Sequence, residues 1–250
     1  MSFRWPSILL SASVPNINRN EKYLKEYPRI KDAQIQIEEA VISLCRNLFQ
    51  AGGRIVFGGH PSISPLVKMV ATEFDISKEV ENTKRNERGE KLIHIYQSRA
   101  YEKVIREAKN KFDSDYFEVI WTDNRNDEYF DPSITGRPQC EESLAYMRAK
   151  MVNEKLDAMV CIGGMDGVEG EFELFQKVHS GKPIYLLEST GGATKILADS
   201  YARFDHINVI DRATYKITEK RKDEKEDQPK FKIIPYTFIT ALIIEDISRR

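Results

Sequence analysis

Apolar residues in this chain fall into short continuous runs separated by amphipathic stretches, the pattern of buried parallel strands alternating with helices. Ser7 to Ser13 is the first run, and it stops in small residues with Pro15 and Asn16 just beyond, which predicts a strand. From Asp32 to Gln50, Ile35, Ile37, Ala40, Val41, Leu44, Cys45 and Leu48 recur at three- and four-residue steps before Gly52 and Gly53, which predicts a helix and its stop. Arg54 to Phe57 reads as a strand running into Gly58-Gly59-His60-Pro61. Ser64 and Pro65 then suit the cap and first turn of a helix reaching Phe74.

The alternation continues with a strand over Leu92–Tyr96, a helix over Ala100–Lys111 and a strand over Tyr116–Trp121. Glu141–Asn153 reads as a helix, and Ala158–Ile162 as a fully buried strand. Gly163 to Gly167 turn into a helix through Val178; Pro183–Leu187 is a strand, and Glu188 to Ala193 lead into a helix ending near Tyr201. These units predict a Rossmann-like three-layer α/β sandwich with a mostly parallel sheet and helices on both faces. It occupies residues 1–213. Alternating charges over 214–232, among them Glu219 to Asp227, leave almost nothing to bury and read as a solvated linker. Residues 233–250, with the apolar stretch Pro235–Ile247, read as a helix docked back on the domain. Ser77–Gly89 is charged and reads as a loop; 123–139, with Pro132, Gly136 and Pro138, is long for a connection and suits a lid or a partner contact.

Composition narrows the function. Lys and Arg total 38 against 39 Asp and Glu, a formal charge of -1, so no global field draws the chain to nucleic acid or anionic lipid. Cys45, Cys140 and Cys161 are scattered without metal-ligand spacing, which argues against a disulfide framework or a zinc site and fits a reducing cytoplasm. Neither a signal-peptide core nor a membrane-length apolar run is present.

In an open parallel sheet, ligands sit beyond the carboxyl ends of the strands. Ser11 and Ser13, Gly58 and Gly59 with His60, Gly163 and Gly164 with Asp166 and Gly167, and Thr190, Gly191 and Gly192 all fall at such ends. Glycines there admit close backbone approach to an anion and the following helix favours phosphate, although each pair also suits a simple tight turn. Arg148 lines up with Leu144, Met151 and Val152, and Glu171 with Leu174, Phe175 and Val178, so both charges fall on apolar stripes. Neither belongs there alone; they meet each other or a polar ligand, unless they form a structural ion pair. His60 suits a phosphate or base contact, or equally the cap of its turn. Ser62 and Ser64 read as caps, and His94, His179 and His206 have no partner at ligand or triad spacing. Ser11 and Ser13 lack a nucleophile elbow.

The stretch Met147-Arg148-Ala149-Lys150-Met151, followed by Asp157 to Ile162 and Gly163-Gly164-Met165-Asp166-Gly167-Val168-Glu169-Gly170-Glu171, resembles the signature of the lysine-decarboxylase-like LOG proteins. Arg54 to Gly59 resembles that family's earlier glycine loop. Over Ser7 to Tyr201 the chain resembles the wider SLOG superfamily of LOG enzymes, DprA-like proteins and sensor domains of bacterial conflict systems. LOG enzymes split the N-glycosidic bond of nucleoside monophosphates, and the resemblance places their arginine and glutamate on Arg148 and Glu171. Ile162 stands for the family's proline, Val168 for a phosphate-contacting threonine, and the spacing to Gly167 is one residue longer. The first loop also lacks the third glycine. The chain is more similar to SLOG domains that sense nucleotide-derived signals beside antiviral effectors.

The resulting expectation is a cytoplasmic sensor that binds an NAD- or ADP-ribose-like nucleotide, requires no other cofactor, and reports occupancy to an effector protein or its own homo-oligomer. A LOG-like phosphoribohydrolase using Arg148 and Glu171 is the first alternative, and a TIR-like NAD-cleaving effector the second.

Overall fold

A computed structural model of the chain describes residues 5–16, 21–27, 30–77, 91–107, 117–134, 138–212 and 234–250. Its strands are β1 (Ser7–Ser13), β2 (Arg54–Gly58), β3 (Ile93–Ser98), β4 (Phe117–Thr122), β5 (Ala158–Gly163), β6 (Ile184–Leu187) and β7 (Ile207–Asn208). The helices are α1 (Glu21–Leu24), α2 (Ile30–Gln50), α3 (Ser64–Ser77), α4 (Glu102–Glu107), α5 (Glu141–Val152), α6 (Asp166–Val178), α7 (Gly192–Tyr201) and α8 (Tyr236–Arg249).

The strands form one 7-stranded sheet in the order β4-β3-β2-β1-β5-β6-β7, every pairing parallel. From β1 the chain steps outward through β2, β3 and β4, then returns to place β5 on the other flank of β1. The crevice beyond the carboxyl ends of β1 and β5 is therefore the topological switch point, where doubly wound sheets hold their ligands.

Strand alternation sorts the core into two layers. Ile8 and Leu10 face α2, α3 and α8, in a cluster with Leu44, Phe49, Val67 and Ile243. Leu9 faces the opposite layer, where Met147, Met151, Phe172 and Phe175 of α5 and α6 pack with Leu197 of α7. The apolar face of α8 packs on α2, and Tyr185 Oη of β6 donates to Asp246 Oδ2 at 2.5 Å. No helix among the described residues is long and apolar enough to cross a membrane.

Several elements differ from expectation in instructive ways. The helix expected over Ala100–Lys111 begins as a 3-10 turn, Arg99–Tyr101, because Ser98 Oγ accepts the Ala100 N–H at 3.2 Å and tightens the entry; α4 follows. In α6 the buried positions are Val168, Phe172 and Phe175, and Val178 is 41% exposed, so the stripe runs beside Glu171 rather than through Val178. Ile35 is likewise 57% exposed, outside the buried face of α2. Ser64 Oγ accepts the His60 N–H at 3.1 Å, fixing the preceding turn instead of capping α3. In the long connection after β4, the Arg125 N–H donates to Ser143 Oγ at 2.8 Å and Glu128 accepts the Ser143 N–H at 2.8 Å, which ties the connection to the start of α5. The stretches expected as loop over 77–89 and linker over 214–232 lie, apart from Ser77, outside the described residues.

Candidate functional site

β1 alternation turns Ser11 toward α5 and α6, level with Cys161 of β5. Glu171 sits one helical turn beyond Gly167 on α6, and Arg148 projects from α5 beside the buried Met147 and Met151. Packing of these helices on the sheet brings the two charges together: Arg148 Nε lies 3.6 Å from Glu171 Oε1, an ion-pair contact longer than a hydrogen bond. Ser11 Oγ donates to Glu171 Oε2 at 2.5 Å. Gly58 and Gly167 border the pair; a Cβ at Gly58 would stand 3.9 Å from Glu171 Oε1, and one at Gly167 would stand 3.3 Å from Arg148 Nη2.

The Glu171 side chain is 13% exposed and that of Arg148 27%. Burial pushes the Glu171 carboxyl above the usual carboxylate range, and the Arg148 charge and the Ser11 hydrogen bond pull it only partway back. A carboxyl shifted upward by burial beside a charged partner is suited to exchanging a proton with a ligand. Arg148 Nε is buried and has no hydrogen-bond partner among the described residues. An unmet guanidinium donor beside a carboxyl suits a ligand oxygen bearing negative charge.

The predicted glycine turns after β5 and β6 also meet, but on each other. The Gly163 N–H donates to Thr190 Oγ1 at 2.7 Å, and the Gly164 N–H to Ser13 O at 2.9 Å. Thr194 Oγ1 donates to Gly163 O at 2.8 Å, and the Ala193 N–H to Gly164 O at 2.9 Å. These backbone donors therefore already have protein acceptors. Val168, 3% exposed, packs onto Gly164, where a Cβ would stand 2.9 Å from the Val168 Cβ. Gly191 and Gly192 adopt positive φ, 72° and 60°, and carry the ring of Tyr27 on the space a Cβ would fill. Asp166 is exposed at the first position of α6, and neither α6 nor α7 has a side-chain cap.

Gly59 and His60 form a third group. Gly59 backs against the buried Gln97 side chain, with a Cβ there 2.5 Å from Gln97 Cδ. His60 Nδ1 accepts the Ser62 N–H at 3.2 Å, which ties the imidazole into its own turn. On the β4 side of α5 a separate cleft of about 200 Å³ is lined by Tyr96, Ile120, Tyr146 and Lys150 among others.

Tyr27, Gln97 and Thr194 shape the site without having been anticipated. Each is an isolated residue whose place depends on a distant segment, and no periodicity or spacing in the sequence marks it.

Comparison with solved structures gives matches that include the X-ray structure of TM1055, a structural-genomics target, with a TM-score of 0.43, 16% identity, and coverage of 78% of this chain and 81% of that one. No curated protein matches the chain. The model of the SLOG cluster3 family matches residues 27–218, which takes in the Arg148–Glu171 pair and the glycine turns after β2, β5 and β6. The resemblance carried by Met147 to Glu171 thus extends over most of the sheet, and the chain belongs to the SLOG cluster3 family of nucleotide-related Rossmann-like domains.

Proposed function

We propose that this domain is a sensor that binds an NAD- or ADP-ribose-like nucleotide in the crevice beyond β1 and β5 and passes its occupancy to a partner protein or a second copy of the chain. One observation carries the reading: two helices bring Arg148 and Glu171 to 3.6 Å at the switch point, with Arg148 Nε lacking an acceptor among the described residues. A guanidinium edge there would donate to a phosphate oxygen, and Glu171 would accept from a ribose hydroxyl. The engaged N–H groups of Gly163 and Gly164, and Val168 packed on Gly164, favour recognition over the tight phosphate cradling expected of a LOG-type hydrolase.

A second reading has its own support. A buried carboxyl with a raised pKa beside an arginine is the equipment of a general acid–base group, which suits a hydrolase cleaving an N-glycosidic bond. Native mass spectrometry of the purified chain separates the readings. A co-purified intact nucleotide supports the sensor; a bound ribose 5-phosphate or ADP-ribose product, with free base after incubation with AMP or NAD, supports the hydrolase. A protein that carries nothing and takes up none of these nucleotides defeats both.

A further inference from the structure

One end of the crevice assigned to the ligand is filled by the chain itself. Residues 21–27 cross it as a four-residue helix and a turn, with Tyr23 and Tyr27 only 2% and 5% exposed. The Tyr27 ring lies on the glycine turn before α7: a Cβ at Gly191 would stand 2.7 Å from Tyr27 Cδ1, and one at Gly192 would stand 2.6 Å from Tyr27 Cζ. Tyr27 Oη donates to Gly164 O at 3.1 Å, so one phenol touches both glycine turns that flank the start of α6. Tyr23 Oη donates to Glu169 Oε2 at 2.6 Å, Lys22 Nζ reaches Glu169 Oε1 at 2.8 Å, and Lys195 Nζ reaches Glu26 Oε2 at 2.5 Å.

Two features set this segment apart from ordinary core. Two rings and side-chain contacts seat it on the domain; among the described residues, the backbone N–H groups of Lys25, Glu26 and Tyr27 donate to Glu21 O, Tyr23 O and Leu24 O within the segment itself. The lysines of its ion pairs remain in contact with solvent, Lys22 at 50% and Lys195 at 39% against 24% for Glu169 and 29% for Glu26, and solvent-screened pairs hold little. Its seat is bare backbone: Gly191 and Gly192, both at positive φ, carry the ring where a Cβ would stand, and the Gly164 carbonyl meets its hydroxyl, while Ile37 and Val168 fill the corresponding spaces at Gly163 and Gly164. A depression that holds a planar phenol and offers a carbonyl acceptor also fits a planar heterocycle with an exocyclic donor.

We propose that residues 21–27 are an internal strap: a nucleotide anchored at Arg148 and Glu171 sets its base on the glycine seat, displaces Tyr27 and frees the strap. This rests on the nucleotide reading above and names the moving part that reports occupancy. The change is local, since the strap's release leaves the ladder of β1 and β5 intact.

Hydrogen exchange of the full chain, followed with and without saturating ADP-ribose or NAD, tests it together with Tyr27→Phe, which keeps the ring but loses the bond to Gly164 O. The expected result is at least tenfold faster exchange over 21–27 with nucleotide, slower exchange over 163–171, and nucleotide affinity about fivefold tighter in Tyr27→Phe, the worth of one net hydrogen bond. Unchanged or slower exchange over 21–27 on binding, with Tyr27→Phe affinity within twofold of wild type, overturns the strap while leaving nucleotide binding intact. If neither protein binds a nucleotide, the functional reading fails, and exchange in the free protein decides the strap. Opening of 21–27 ahead of α6 and α7 supports a detachable segment, and exchange only with the whole fold overturns it.

Discussion

Substituting alanine at Gly192 tests whether the Tyr27 seat is as tight as its geometry implies. A Cβ there would stand 2.6 Å from Tyr27 Cζ and closer still to Tyr27 Oη and Gly164 O, on a residue with φ of 60°. The left-handed backbone costs a side chain roughly 1–2 kcal/mol. Relief of the overlaps, one of them with a backbone carbonyl that cannot swing away, adds about 1–3 kcal/mol. Gly192→Ala should therefore lose about 2–5 kcal/mol in urea unfolding followed by circular dichroism. Gly170→Ala is the control: nothing lies within 4 Å of a Cβ there, so the same change inside α6 should gain about 0.5–1 kcal/mol. Combined with Tyr27→Phe, the Gly192→Ala loss should shrink, because the hydroxyl overlap is gone. If Gly192→Ala unfolds within about 0.5 kcal/mol of wild type, Tyr27 is not seated on this turn, and both the packing account and the strap fail.

Arg148→Ala should weaken binding of phosphate-bearing nucleotides by about tenfold to a hundredfold, the worth of charge-assisted hydrogen bonds, with little effect on free nucleosides; equal losses for both, by calorimetry, would place the phosphate elsewhere. The folded Glu171 carboxyl titrates above its unfolded range near 4.3, so wild-type stability is fullest below that range and falls as pH rises through the folded value. Glu171→Gln lacks that loss, and its stability relative to wild type should improve as pH rises above about 4; a change in the opposite direction contradicts the burial argument. At the other end of the sheet, burial works against the Glu154 carboxylate, but His94, Tyr96 and Arg54 hold its carboxyl below the usual range. That stability is present above the unfolded value and lost as pH falls through the folded one. Glu154→Gln should accordingly cost about 1.5–3 kcal/mol near neutrality and little in acid, a contrast that urea titrations at the two pH values would expose.

Local pattern carried the sequence reading as far as local physics reaches. Ser7–Ser13 was legible to the residue because a strand buried on both faces is a continuous apolar run closed by small residues. Arg148 and Glu171 stood out because a charge among apolar helix positions needs a partner, and the helix packing supplies it. The stripe on α6 was misplaced by one position because Val178, though apolar, lies past the last buried turn. β7, at 2 residues, is too short for any period to show. Tyr27 was illegible for a different reason: its partner Gly164 lies 137 residues away, and a glycine pair reveals that Cβ atoms are excluded without revealing what excludes them. The turn after β6, expected to hold phosphate, is shaped around a tyrosine.

Isothermal titration of the purified chain with ADP-ribose, NAD and AMP, with the solution afterwards assayed for free base, addresses the Arg148–Glu171 site head on. Stoichiometric binding of at least one of the three, weakened at least about tenfold by Arg148→Ala and with every nucleotide recovered intact, is the expected outcome. Absence of binding heat for all three, or binding indifferent to Arg148→Ala, would contradict a nucleotide site at this pair, and free base in the wild-type sample would make the domain a hydrolase instead of a sensor.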